Sequence, residues 1–207
     1  AEIWNQDDGL AVHVLAGDQI RSLYIPDPTI DLVEAVRRCC QEGKLVTAGD
    51  ASRETIMKLL PRYSAFHFAG HAISDVDRPE FSYLALARDS STDGRLRAWE
   101  IARLRLSNMQ VVVLSACTTL NPRATRNGTM AGLAYSFLQA GVPATISTLW
   151  DVADEATTDL LIGFHRHLAS GESIAQALRV AQLEAMKATD AHSRAPQTWA
   201  AFTYTGP

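Results

Sequence analysis

Apolar and polar positions alternate from Leu10 to Ile25 on either side of Gly17-Asp18, the pattern of two strands joined by a tight turn. The spacing then lengthens. Leu32, Val33, Val36 and Cys40 recur at helical intervals across residues 31–41, and Gly43 supplies a stop. A second helix is expected over about 52–60, with Asp50 or Ser52 as N-cap and Pro61 as terminator. Short unbroken apolar runs follow. Residues 64–68, 83–87, 111–115 and 144–149 read as strands, and the run at 111–114 suits a central strand buried on both faces. Helices are expected over about 98–104, 130–140, 155–169 and 173–188, with residues 199–204 as a last strand. Strands alternating with helices predict an α/β layer sandwich around a mostly parallel sheet. No internal repeat interrupts the pattern. Residues 1–207 are therefore expected to form one domain, with a hairpin and helix in 1–46 and the core in 47–207.

Composition narrows the function classes. Of 207 residues, 47% are hydrophobic and 20% charged, which excludes disorder. The 19 Lys+Arg against 23 Asp+Glu give a net charge of −4, so no basic excess is available to follow a phosphate backbone, and direct nucleic-acid binding is not expected. Every apolar run is far too short to span a bilayer, so no membrane association is expected. No leader resembling a secretion signal stands at the N-terminus, and a chain opening on Ala1 reads as part of a longer polypeptide. Cys39 and Cys40 are adjacent and Cys117 stands alone, which fits neither a disulfide framework nor a zinc site. A reducing compartment, the cytoplasm, is the expectation, with no cofactor and no metal.

In open parallel sheets, ligands bind at the carboxyl ends of strands. His71 lies three positions past the strand expected to end at Phe68, and Cys117 two past the one ending at Ser115. If those strands are neighbours, an imidazole and a thiol project from one sheet edge, as a nucleophile and its general base require. The backbone N–H groups of Ala72 and Cys117 would then be placed to hold an oxyanion. Spacing alone leaves the bland alternatives open: a lone Cys is more often a small buried hydrophobe, and a lone His a hydrogen-bonded structural residue. His67 and His71 do not share a helical face and lack a third ligand for zinc. No Walker-type loop, G-x-G-x-x-G or G-x-S-x-G motif is present, nor the acidic pair, Asp and Lys of a phosphorylated receiver.

Phe66-His67-Phe68-Ala69-Gly70-His71 resembles the histidine motif of the CHAT domains, bacterial caspase- and separase-like cysteine proteases. Val113-Leu114-Ser115-Ala116-Cys117-Thr118-Thr119 resembles their cysteine motif. The segment 140–154 is similar to the strand that follows in these domains, and Trp199-Ala200-Ala201-Phe202 matches their closing motif. The resemblance covers about residues 47–207, with a vaguer match to the family's N-terminal hairpin and helix in residues 9–41. It implies a caspase-like three-layer fold, with His71 as general base, Cys117 as nucleophile and His67 facing the core or supporting His71. The implied reaction is peptide-bond hydrolysis through a thioester. The chain departs from the pattern at Ala72 and Leu120, where glycine is usual, and between residues 41 and 47, where the family's further strand material is either shortened or absent from this chain.

By the same resemblance Ser147, Thr148, Leu149, Trp150 and Asp151 form the substrate-binding segment, against which an extended peptide would lie as a β-strand. Thr158 stands where separases carry the carboxylate that reads arginine, so that preference does not carry over. Asp154 and Glu155 read as helix-cap residues, and His165 and His167 as a surface pair. Arg37-Arg38, Arg95–Arg97 and Arg103–Arg105 read as solvated positions. The expected protein is a regulated endopeptidase controlled by a helical-repeat (tetratricopeptide-like) domain or partner, acting in a bacterial defence or signalling pathway. The alternative is an inactive scaffold that binds extended peptides.

Overall fold

The computed structural model describes residues 11–15, 44–47, 50–88, 92–116, 132–150, 152 and 154–207. Where the sequence carries its strongest local signals, the elements follow them. Ser52 caps α1 (Arg53–Leu59), its hydroxyl accepting from the Thr55 N–H at 3.2 Å, and a short 3-10 turn over Leu60–Arg62 ends the helix at Pro61. The apolar runs become β3 (Ala65–Ala69), β7 (Val111–Ser115) and β8 (Ala144–Thr148). Together with β1 (Ala11–Leu15), β2 (Lys44–Thr47) and β9 (Phe202–Thr205) they form a six-stranded sheet in the order β2-β1-β3-β7-β8-β9.

The central strands β3, β7 and β8 pair in parallel, while β1 and β9 run against their neighbours. Four of the six strands thus point the same way. A second, antiparallel sheet joins β4 (Ala72–Ile73), β5 (Tyr83–Ala85) and β6 (Arg95–Arg97). Its β5–β6 hairpin is closed by Leu86 N–H on the Gly94 carbonyl at 2.7 Å. Gly94 has φ +72°, and a Cβ there would lie 2.5 Å from the Leu86 oxygen, so the turn requires glycine.

Successive residues on β3 face opposite ways, and this sets the layers. Phe66 packs on Phe137 of α3 (Leu133–Gln139), with ring centroids 5.7 Å apart. His67, one residue on, meets His165 of α4 (Asp154–Ala169) on the other face. The long helix α4 packs with α5 (Ile174–Ala185). On the α3 side, Arg53 of α1 reaches the buried Glu100 of α2 (Ala98–Ile101) with Nε 3.0 Å from Oε1, and Glu100 also accepts from the Arg97 N–H at 2.9 Å. The sheet is therefore covered by helices on both faces, as an α/β three-layer sandwich. Among the described residues no helix is long and apolar enough to cross a membrane.

The structure adds strands that the pattern does not predict and moves one boundary. Residues 44–47 form a strand that pairs with β1. The second strand of the expected N-terminal hairpin, the helix over 31–41, and Cys39 and Cys40 lie outside the described residues. Arg95–Arg97 is a strand, with Leu96 turned inward and Arg95 outward. Trp199 does not open the last strand. Asp190 caps α6 (Ala191–Arg194), Pro196 starts α7 (Pro196–Trp199), and β9 begins only at Phe202.

Candidate active site

The register of β3 against β7 runs from Ala65–Val111 to Ala69–Ser115. Gly70 N–H then donates to the Ser115 carbonyl at 3.3 Å. In sequence, His71 and Cys117 each follow by two positions the last registered pair of two adjacent parallel strands. Cys117 itself lies outside the described residues, as do Leu120 and Asp151. His71 is exposed at the sheet edge.

Ala72 follows as the first residue of β4, buried against the core. Its backbone direction can be read from the ladder. Ala85 N–H donates to the His71 carbonyl at 2.9 Å, which makes His71 and Ala85 a hydrogen-bonded pair. Antiparallel pairs alternate, so Ala72 opposite Leu84 is a non-hydrogen-bonded pair and its N–H is aimed away from β5.

The segment expected to bind substrate divides into two parts. Ser147 and Thr148 are fully buried in β8, and their main chain pairs with Thr203 and Phe202 of β9. The β9 side of this strand is therefore occupied. Leu149 is half-buried and donates its N–H to the Ala201 carbonyl at 2.9 Å. Trp150 reaches the surface with 40% of its area exposed, held by its indole N–H on the Gln197 carbonyl at 2.8 Å. The Thr148 hydroxyl donates to the carbonyl of Ala116, the residue before Cys117. Nothing in the sequence pattern marks that bond.

Behind the edge lies a feature read wrongly from sequence. His165 is buried rather than a surface residue. Its Nε2 is 2.8 Å from Nδ1 of His67, with ring centroids 5.0 Å apart. Burial holds His165 down to about 4, and burial together with the neighbouring His165 holds His67 well below the ordinary imidazole range. The missed signal is the helical stripe Leu161, Phe164, His165 and Leu168, in which His165 occupies a core position. His167 does lie toward solvent, between Glu172 at 2.8 Å and Glu184 at 3.1 Å. Among the described residues no group of three or more His, Cys, Asp or Glu could hold a metal ion.

A parallel three-strand centre flanked by antiparallel strands, helices on both faces and a small second sheet after the histidine define a caspase-like α/β fold. The family model of the CHAT domain matches residues 15–207, and the chain belongs to that family. Solved structures agree in fold. The Arg-specific cysteine proteinase gingipain R superposes with a TM-score of 0.58 at 12% identity, over 85% of this chain and 40% of that one. Two structures of the Saccharomyces cerevisiae separase–securin complex give TM-scores of 0.54 at 20% and 17% identity, over 79% and 86% of this chain. Those matches span 9% and 11% of the chains they fall on. This chain thus covers well under two thirds of either relative. No curated protein matches it.

Proposed function

We propose that this chain is a regulated cysteine endopeptidase that cleaves a protein substrate with Cys117 and His71. The observation that carries the reading is the register: the two residues extend equally, by two positions, past the same cross-strand pair Ala69–Ser115. In the proposed reaction His71 takes the proton of the Cys117 thiol, and the thiolate attacks the scissile carbonyl carbon. The N–H groups of Ala72 and Cys117 hold the oxyanion. Collapse expels the amine, which leaves with the proton from His71, and a thioester remains. Water, deprotonated by His71, then attacks the thioester and regenerates the thiol.

Ala72 supports the oxyanion role rather than the scaffold alternative. It sits in an extended strand, which a Cβ suits, and its N–H faces away from the small sheet. The Thr148 hydroxyl positions the backbone entering Cys117 by fixing the Ala116 carbonyl. Thr148→Val is expected to slow alkylation of Cys117 about tenfold, the cost of one buried hydrogen bond, and Thr148→Ser to restore it. Equal rates in all three proteins would remove Thr148 from the site.

Control by a helical-repeat, tetratricopeptide-like domain or partner, a cytoplasmic location and a role in bacterial defence or signalling belong to the same proposal and rest on family membership. Separase is held in a complex with securin, which supports control of such a fold by a partner protein. Endopeptidase activity is tested by mapping new N-termini in a bacterial lysate treated with wild type or Cys117→Ala. Termini that appear only with wild type are the expected result. Identical termini with both proteins would overturn the assignment of Cys117.

A further inference from the structure

The outer face of the small sheet continues directly from His71, and the register fixes what lies on it. Ala72, Leu84 and Leu96 are opposite one another and buried, so they form the inner face. By alternation the outer face carries two rows: His71, Ala85 and Arg95, then Ile73, Tyr83 and Arg97. Ile73 is 40% exposed, an apolar side chain two residues from the proposed base. The Arg95 guanidinium lies flat over the Tyr83 ring, 4.8 Å from its centroid. Arg97 is held by Asp93 at 2.5 Å, whereas Arg95 approaches that carboxylate only to 4.0 Å.

We propose that this face binds the substrate segment on the C-terminal side of the cleaved bond, with an apolar residue over Ile73 and Tyr83 and a carboxylate reaching Arg95. The inference rests on His71 being the catalytic base. An imidazole that hands its proton to the departing amine stands on the leaving-group side, so the surface beyond it meets the leaving segment. Arg95 is two strands from His71, about 10 Å across a sheet, which is roughly three residues of extended chain. The acidic side chain recognised is therefore the third after the cut. The hairpin tip beyond Ile73 carries Asp75, Asp77 and Glu80, of which Asp75 is engaged by Arg78 and by the N–H groups of Asp77 and Arg78. These charges keep an acidic peptide on the path across the strands.

The test uses peptides with a free N-terminus that mimic the leaving segment, bearing Asp or Lys at the third position, and their affinity for the Cys117→Ala protein by fluorescence anisotropy. The Asp peptide is expected to bind about fivefold more tightly than the Lys peptide, the size of a surface charge pair. Arg95→Glu should invert the order and Arg95→Gln abolish it, while Ile73→Ser weakens both peptides alike. Equal affinities, or a preference that survives both Arg95 substitutions, overturn the proposal. Alkylation of Cys117 in the wild-type protein separates the two ideas. A reactive thiol without a charge preference removes this surface alone, whereas an inert thiol overturns the protease reading and with it the assignment of this face to a leaving segment.

Discussion

Alkylation of Cys117 at pH 6.5 is expected to fall about a hundredfold when His71 is replaced by Ala. An isolated thiol has a pKa near ~8.5, so about 1% is thiolate at pH 6.5, and only the thiolate reacts. An adjacent imidazole stabilises the thiolate as an ion pair and can bring that fraction toward unity. His71→Ala removes the partner without disturbing the core, because the side chain is exposed and the backbone bond from Ala85 to its carbonyl remains. The pH profile carries more information than the rate. In wild type, alkylation rises at acid pH to an early plateau. In His71→Ala the rise moves up to the ordinary thiol range and the plateau rates converge. Mass spectrometry of the adducts resolves Cys117 from Cys39 and Cys40, which serve as internal references. A profile unchanged by His71→Ala would dissolve the dyad.

The second large effect concerns acid stability. His67 and His165 are buried in the native state with depressed pKa values, whereas in the unfolded chain both titrate near 6.5. Above pH 6.5 neither state binds the protons and the pair adds no pH dependence. Below it the unfolded chain takes up protons that the native protein refuses, so stability falls with decreasing pH, by at most about 3 kcal/mol per unit for two such groups. Between 6.5 and about 4, His165 alone costs about 3 kcal/mol, a large part of the ~5–15 kcal/mol of an ordinary domain. His167 acts in the opposite sense. Burial opposes its charge, but hydrogen bonds to Glu172 and Glu184 raise its pKa, so its contribution is present below pH 6.5 and lost as pH rises through the raised value. Urea midpoints between pH 7 and 4.5 should therefore drop steeply, and His165→Leu should roughly halve the slope. A flat profile, or a slope indifferent to that substitution, would show that the imidazoles are protonated in the native protein.

What was legible in sequence follows from the range of the forces involved. Val111–Ser115 is legible to the residue because a β-branched run bounded by polar residues has one good solution, and the α1 cap is legible to a choice of Asp50 or Ser52, of which the structure uses Ser52, because capping is settled within four residues. The two-residue β4 and three-residue β6 are too short to show a period, and they exist because each finds β5. His165 was misplaced for a related reason. Its polarity suggests solvent, yet a second imidazole 98 positions earlier satisfies it inside the protein. The motif positions of His71 and Cys117 could be read, whereas the shared register behind them, and the outward row from His71 to Arg95, are properties of strand pairing that no local pattern carries.

The placement of β9 bears on the order in which the molecule can be assembled. Its residues close the outer edge of β8, yet about fifty residues and four helices separate the two strands along the chain. A polypeptide emerging from the ribosome therefore exposes the edge of β8, with Ser147 and Thr148, for the whole time needed to synthesise and fold α4 to α7. Unpaired edges template association with other chains. Closure of that edge is a long-range event and correspondingly slow. The strand whose hydroxyl fixes the Ala116 carbonyl is thus among the last parts of the sheet to be sealed, which ties the setting of the chain before Cys117 to the completion of the fold.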